Sequence, residues 1–297
     1  MDSVDSFLDQ VIAGFEASFP RQVRSYYLLG SYAEGSAVPL LSDIDLFIIF
    51  KSRCAGSLAE AAQQLAQTWA ARSPVRLDVT IRGEAELDRL HSVLQHSLKS
   101  GSRVLHGEDL RPRLPEIPLQ AFRWAVWDGA LHFVLNILRG VERWDLPLDY
   151  PQPEGAFFGY DRIRVPEWYP AEFQQGTKEL VATVSRLCSA LLADQAEVQA
   201  AGKSEAFRLY SDRIVGEWAP FVDDIFNECK LRWHYRVPTD EDDRRRLRAL
   251  CARTLEFENF ALERCQGYFS GLAKAGSASQ QAEAAARLRR LATRESE

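Results

Sequence analysis

Residues 42–50 read Ser-Asp-Ile-Asp-Leu-Phe-Ile-Ile-Phe. A run of β-branched and aromatic residues behind a polar turn is a buried strand. Two carboxylates at the mouth of that strand restrict the possible folds more than any other feature of the chain. On an extended strand residues i and i+2 face the same side. Asp43 and Asp45 therefore project together, with Ile44, Leu46 and Ile48 on the opposite face. The strand rise puts the two Cα atoms about 7 Å apart. Like charges so placed repel, and burying a carboxylate is costly unless a partner offsets it. Positive charge is required at this spot. A hard divalent cation, which prefers oxygen ligands and uses one or two carboxylates plus substrate phosphates, meets the requirement.

Two further features extend the pattern. Asp78 lies inside "VRLDVTI" (Val75–Ile81), a later apolar strand where a lone carboxylate again needs a reason. If that strand pairs beside the Asp43 strand, Asp78 completes a three-carboxylate cluster. Upstream, "SYYLLG" is a short strand ending at Gly30, and Ser31 follows with a hydroxyl and a backbone N–H. A glycine turn of this kind lets backbone donors approach phosphate oxygens closely. The spacing from Gly30 to Gly35 is that of a P-loop, but Ser36 stands where a lysine is needed, and a strand follows rather than a helix. Taken singly, each feature has a bland reading: a common strand start, a salt-bridged edge residue, a turn. The ordered set is far more specific.

The N-terminal hundred residues read as helix, strand, strand, helix, strand, helix. Val4, Phe7, Leu8, Val11, Ile12 and Phe15 give the first helix its apolar face, "LAEAAQQLAQTWAA" is the second helix and "EAELDRLHSVLQHSLKS" the third. Pro112, Pro115 and Pro118 then mark a linker. After it strands vanish. Helices are expected over 120–140 and around 177–195, 203–216, 218–236 and 240–270. Residues 145–176 form an aromatic loop with Phe157, Phe158, Tyr160, Trp168, Tyr169 and Phe173, and its acids Glu154, Asp161, Glu167 and Glu172 are equally readable as a cation-binding set or as solvated charge. The predicted division is a catalytic domain over 1–112 and a helical domain over 113–297, whose tail from 275 to 297 is a frayed helix or disordered.

Composition narrows the classes. The chain has 297 residues, 46% apolar and 26% charged, enough to bury a core without staples. A net charge of −6 argues against a general nucleic-acid binder. Five widely spaced cysteines form no C-x-x-C, so neither a disulfide framework nor a zinc site is indicated, and they read as thiols in a reducing compartment. The five histidines show no metal spacing. The acidic start "MDSVDSFLDQ" is unlike a secretory signal and no apolar run spans a membrane, so a cytoplasmic protein without a membrane partner is expected, as monomer or homodimer.

"LLGSYAEGSAVPLLSDIDLFIIF" resembles the signature of the DNA polymerase β-type nucleotidyltransferase superfamily, and the chain is most similar within it to the aminoglycoside adenylyltransferases of antibiotic resistance. The short motif "LDVTI" matches the strand that carries the third acid, with Asp78 where the streptomycin/spectinomycin enzymes have Glu. "SGSRVLHGEDL" is similar to the segment that closes the catalytic domain, with His106 in place of Tyr. "AGKSEAFRLYSD" resembles a motif of the helical half, with Gly202 before the lysine in place of Ser.

The resemblance implies an α+β fold: a polymerase-β-like domain with a mixed sheet, then an all-α helical domain. It implies that Asp43, Asp45 and Asp78 hold two Mg²⁺ ions, with Asp78 the base that activates the acceptor hydroxyl. Gly30, Ser31, Ser42 and Lys203 would bind the nucleotide. ATP or another nucleoside triphosphate would be co-substrate. The reaction would move a nucleoside monophosphate onto a small hydroxyl-bearing acceptor, aminoglycoside-like, with release of pyrophosphate. The alternatives are a protein or tRNA acceptor, as in toxin or antitoxin nucleotidyltransferases, and a nucleotide-binding regulatory module without turnover.

Overall fold

The computed structural model describes residues 2–163 and 175–293. The backbone divides into two compact units, Met1–Ala121 and Phe122–Glu297.

The first unit opens with helix α1 (Asp2–Ser18), then strand β1 (Val23–Leu29), a single helical turn α2 (Gly30–Ala33) and strand β2 (Ile44–Phe50). Helix α3 (Gly56–Ala70) leads to strand β3 (Leu77–Gly83), and helix α4 (Ser92–Gly101) to strand β4 (Arg103–Gly107). The sheet order is β3-β2-β1-β4. β1 runs antiparallel to both β2 and β4, whereas β2 and β3 are parallel. A parallel pair needs a crossover, and α3 supplies it. The sheet is therefore mixed, as expected.

Both faces of the sheet are covered, so β1 and β2 read as continuous apolar runs rather than as alternation. On one face Tyr26, Leu28, Ile44, Leu46, Ile48 and Phe50 pack with α1 through Leu8, Val11 and Phe15, and with Ala62 and Ala66 of α3. On the other, Tyr27, Leu29, Phe47 and Ile49 pack with Leu87, Leu98, Leu110 and Leu114. Asp45 lies in sequence with Phe47 and Ile49, at the end of that second face.

Two local features differ from the sequence reading. "EAELDRLHSVLQHSLKS" is not one helix. Residues Glu84–Arg89 form a tight 3-10 turn, Leu90 and His91 are extended, and α4 starts afresh at Ser92. Glu86 accepts the Gly83 N–H at 2.6 Å, and Leu87 and Leu90, three residues apart, both pack into the core cluster. A three-residue turn puts such a pair on one side. The second feature is β4, which the sequence analysis did not anticipate as a strand. It is a five-residue edge strand with Arg103, His106 and Gly107 exposed, too short and too polar to show a period-two signal. It is tied down at its end: Tyr27 Oη donates to the Glu108 carbonyl at 3.2 Å and accepts the Leu110 N–H at 2.6 Å.

Among the described residues the second unit is largely helical, with one short strand pair. It comprises α5 (Leu119–His132, whose first turn crosses the unit boundary), strand β5 (Trp144–Leu146), α6 (Lys178–Leu191), α7 (Lys203–Arg213), α8 (Ala219–Asp224), α9 (Glu241–Ala275), α10 (Ala278–Leu288) and strand β6 (Leu291–Thr293). β5 and β6 pair in parallel. The run "TDEDDRRRL" starts α9 for the reason its charges suggest. Asp240 accepts the N–H groups of Asp242 and Asp243, and three acids occupy the first turn, where the helix dipole favours them. Ser277 caps α10 in the same way, with Gln280 reaching back to its backbone.

Within the aromatic loop, Phe157 and Tyr160 are buried and Phe158 stacks on Tyr150 with ring centroids 4.1 Å apart. Glu167, Trp168, Tyr169, Glu172 and Phe173 lie outside the described residues. All five cysteines are free thiols, four of them buried. Among the described residues no helix is long and apolar enough to cross a membrane.

Phe47 is 1% exposed at the centre of the second face. Phe47→Ala is expected to destabilise the first unit by about 3–5 kcal/mol, read as a lower denaturant midpoint. Leu40→Ala, half exposed, should leave it unchanged.

Candidate functional site

The three aspartates meet at one end of the sheet. Asp43 is the residue before β2, and Asp45 is its second residue. Asp78 is the second residue of β3, and the parallel register places Asp45 directly beside it. The Ile44 N–H donates to the Arg76 carbonyl at 2.8 Å, which fixes the register where the strands begin. One carboxylate oxygen from each of Asp43, Asp45 and Asp78 lies within 4.8 Å of the others, and all three residues are half-buried. No second group of metal-ligating side chains of this kind occurs among the described residues.

The glycine turn stands against this cluster. Leu29, the last residue of β1, pairs with Asp45, so Gly30 begins the turn at the level of the acids. Gly30 has φ +66°, and a Cβ built on it would sit 2.5 Å from Asp45 Oδ2. Glycine is required here twice over, for the left-handed backbone and for the close approach. Ser31 follows in α2, half-buried, and its carbonyl accepts the Ser36 N–H at 2.9 Å, which curls the loop back.

Ser42 occupies a different place. It is 3% exposed. Its Oγ accepts the Val38 N–H at 2.8 Å, and its own N–H donates to the Val38 carbonyl at 2.9 Å. The pair of bonds closes the loop that delivers Asp43 to the strand. The reading of Ser42 as a nucleotide contact did not foresee this use of its hydroxyl. Lys203 is the first residue of α7, exposed, in the second unit.

Arg76 also contacts the cluster. Its Nε donates to Asp78 Oδ1 at 3.0 Å. The signal was present in the sequence, since residues two apart on a strand share a face, but a surface arginine is too common to single out without the contact.

Three oxygen-bearing acids with a glycine backbone pressed against one of them form a donor set suited to a hard divalent cation and to the phosphates it carries. Residues 8–97, which include all three aspartates, match the family model described as nucleotidyltransferase domain. The first unit carries a nucleotidyltransferase domain of the polymerase β type. A search of curated proteins found no match. Among solved structures, the chain is similar to spectinomycin adenyltransferase AAD(9) from Enterococcus faecialis, solved with ATP and spectinomycin. The likeness has a TM-score of 0.51 at 13% identity and covers 85% of this chain and 98% of that one. At that identity it establishes a shared fold, and it extends well beyond the nucleotidyltransferase domain. A toxin–antitoxin structure with AMP-PNP also matches, at 20% identity over 44% of this chain and 91% of that one, with a TM-score of 0.28.

Two substitutions probe the geometry of the domain. Gly30→Ala must displace the Asp45 carboxylate and strain the turn. It is expected to cost about 1–2 kcal/mol of stability and to weaken Mn²⁺ uptake at least tenfold in a calorimetric titration. Asp45→Asn removes one of three mutually repelling charges. Its melting temperature in EDTA should equal or exceed that of the parent chain.

Proposed function

We propose that this protein is a magnesium-dependent nucleotidyltransferase that moves a nucleoside monophosphate, AMP from ATP, onto a hydroxyl of a small-molecule acceptor of the aminoglycoside kind. The observation that carries the reading is the convergence of Asp43, Asp45 and Asp78 within 4.8 Å inside a nucleotidyltransferase domain. The acceptor class rests on the fold shared with the spectinomycin enzyme. A fold alone does not fix a substrate, so the acceptor is the part of the proposal most in need of experiment.

In this reading Asp43 and Asp45, with Asp78 at their side, hold two Mg²⁺ ions. Magnesium bound there would neutralise the three acids and draw charge from the triphosphate. The chain's own residues do the rest. The backbone N–H groups of the turn at Gly30 and Ser31 bind phosphate oxygens, and Ser42 holds the loop that presents Asp43. Lys203 is carried as the nucleotide-binding lysine. Asp78 accepts the proton of the acceptor hydroxyl. The hydroxyl oxygen forms a bond to the α-phosphorus, the bond from that phosphorus to the β-phosphate bridging oxygen breaks, and pyrophosphate leaves.

The protein should release pyrophosphate from Mg-ATP in the presence of an aminoglycoside panel, with one acceptor gaining the mass of a nucleoside monophosphate. Labelling of tRNA or of cell protein instead would replace the acceptor class. Nucleotide-dependent thermal stabilisation with no turnover on any acceptor would replace the enzyme by a binding module. Asp45→Asn is expected to abolish transfer and weaken Mg-nucleotide binding. Asp78→Asn should lower kcat by several orders of magnitude while changing nucleotide affinity less than Asp45→Asn does.

A further inference from the structure

The acid cluster carries a cation of its own. Arg76 immediately precedes β3, and its carbonyl receives the N–H of Ile44, the residue between Asp43 and Asp45. Its backbone is thereby pinned level with the aspartate pair. Its side chain shares a strand face with Asp78 and donates from Nε to Asp78 Oδ1 at 3.0 Å. The two side chains are 46% and 43% exposed. The contact runs through Nε, and the terminal nitrogens Nη1 and Nη2 donate to no other described residue. A strong arginine–carboxylate pair is bidentate and fork-shaped. A single, half-exposed contact is the weak form, and it exchanges readily with other partners.

We propose that Arg76 is the positioning residue of Asp78 and an internal competitor for the divalent cation. The inference rests on the magnesium-dependent reading above. Before a cation arrives, the guanidinium takes one oxygen of Asp78, offsets part of the repulsion among the three acids and holds Asp78 in one orientation beside Asp45. An incoming dication meets that positive charge and must share Asp78 with it. An exposed pair competes weakly, so the cost to cation affinity is up to about fivefold. A residue that merely held the strand in place would act oppositely: its loss would loosen the site and weaken cation binding.

The test uses the full chain with Arg76→Gln and Arg76→Lys, titrated with Mn²⁺ without nucleotide and followed by the electron paramagnetic resonance signal of the free ion. Arg76→Gln should bind Mn²⁺ about two- to fivefold more tightly than the parent, and Arg76→Lys about as tightly as the parent. With Mg-ATP and an acceptor, Arg76→Gln should lose kcat at unchanged KM for ATP, and Arg76→Lys should recover most of it. Thermal melts in EDTA check that both variants fold. Unchanged or weaker Mn²⁺ binding by Arg76→Gln overturns the inference and leaves the nucleotidyltransferase reading intact. A parent chain that takes up no Mn²⁺ overturns both. A parent chain that binds Mn²⁺ without releasing pyrophosphate from any nucleotide overturns the enzymatic reading alone, and the Mn²⁺ comparison still decides the role of Arg76.

Discussion

Three carboxylates within 4.8 Å of one another repel, and the N-terminal unit has to hold them there. At such separations each like-charged pair costs about 1 kcal/mol in water and about 4 kcal/mol where the surroundings are less polarisable. The acids are half-buried, between those limits. Arg76 offsets part of the repulsion at Asp78, and the packing behind the acids supports the strands that carry them. β1 and β2 bury apolar side chains on both faces of the sheet, and a fully buried side chain of this size contributes about 1.5–3 kcal/mol. A few core residues therefore outweigh the whole cluster. The site is a local cost borne by a sheet that is otherwise consistently apolar.

The delivery of each acid is mechanical. Asp43 arrives on a loop closed by Ser42 and Val38. Asp45 sits at the register position facing Leu29 on one side and Asp78 on the other. Gly30 lies so close that a methyl group would overlap the Asp45 carboxylate. The backbone hydrogen bonds of the strands and the loop fix where each acid leaves the chain, and Arg76 orients the Asp78 side chain.

The second unit shows how differently a charge is treated when it serves packing. Arg139 and Glu258 form an ion pair with side chains 1% and 0% exposed. The Tyr160 hydroxyl donates to the same Glu258 oxygen at 2.7 Å, and Arg139 also donates to the Asp149 and Val134 carbonyls. Here the buried charge is paired and hydrogen-bonded through Glu258 Oε2, as a low-dielectric interior demands, while Glu258 Oε1 has no hydrogen-bond partner among the described residues. Burial pushes the Tyr160 hydroxyl far up from its usual range, so it stays a donor. The aromatic loop contributes Phe157 and Tyr160 to this interior. Aromatic side chains in a proline-bearing loop signal order, but a sequence does not say whether the order serves a ligand or a core.

Strong local patterns let the sequence by itself determine a good deal. The two-sided apolar runs declared β1 and β2, the 3.6-residue period declared α1 and α3, and the D-x-D spacing put Asp43 and Asp45 on one face. Weak local patterns hid the rest. β4 is a short polar edge, and the break at Leu90–His91 depends on which way Leu87 and Leu90 turn toward the core. Only the tertiary structure decided that β3 lies parallel beside β2, and hence that Asp78 joins the pair and brings Arg76 with it. Strand neighbours are chosen by burial across the whole sheet, through a crossover helix and contacts distant in sequence. A carboxylate's company follows from that choice and from nothing in the residues next to it.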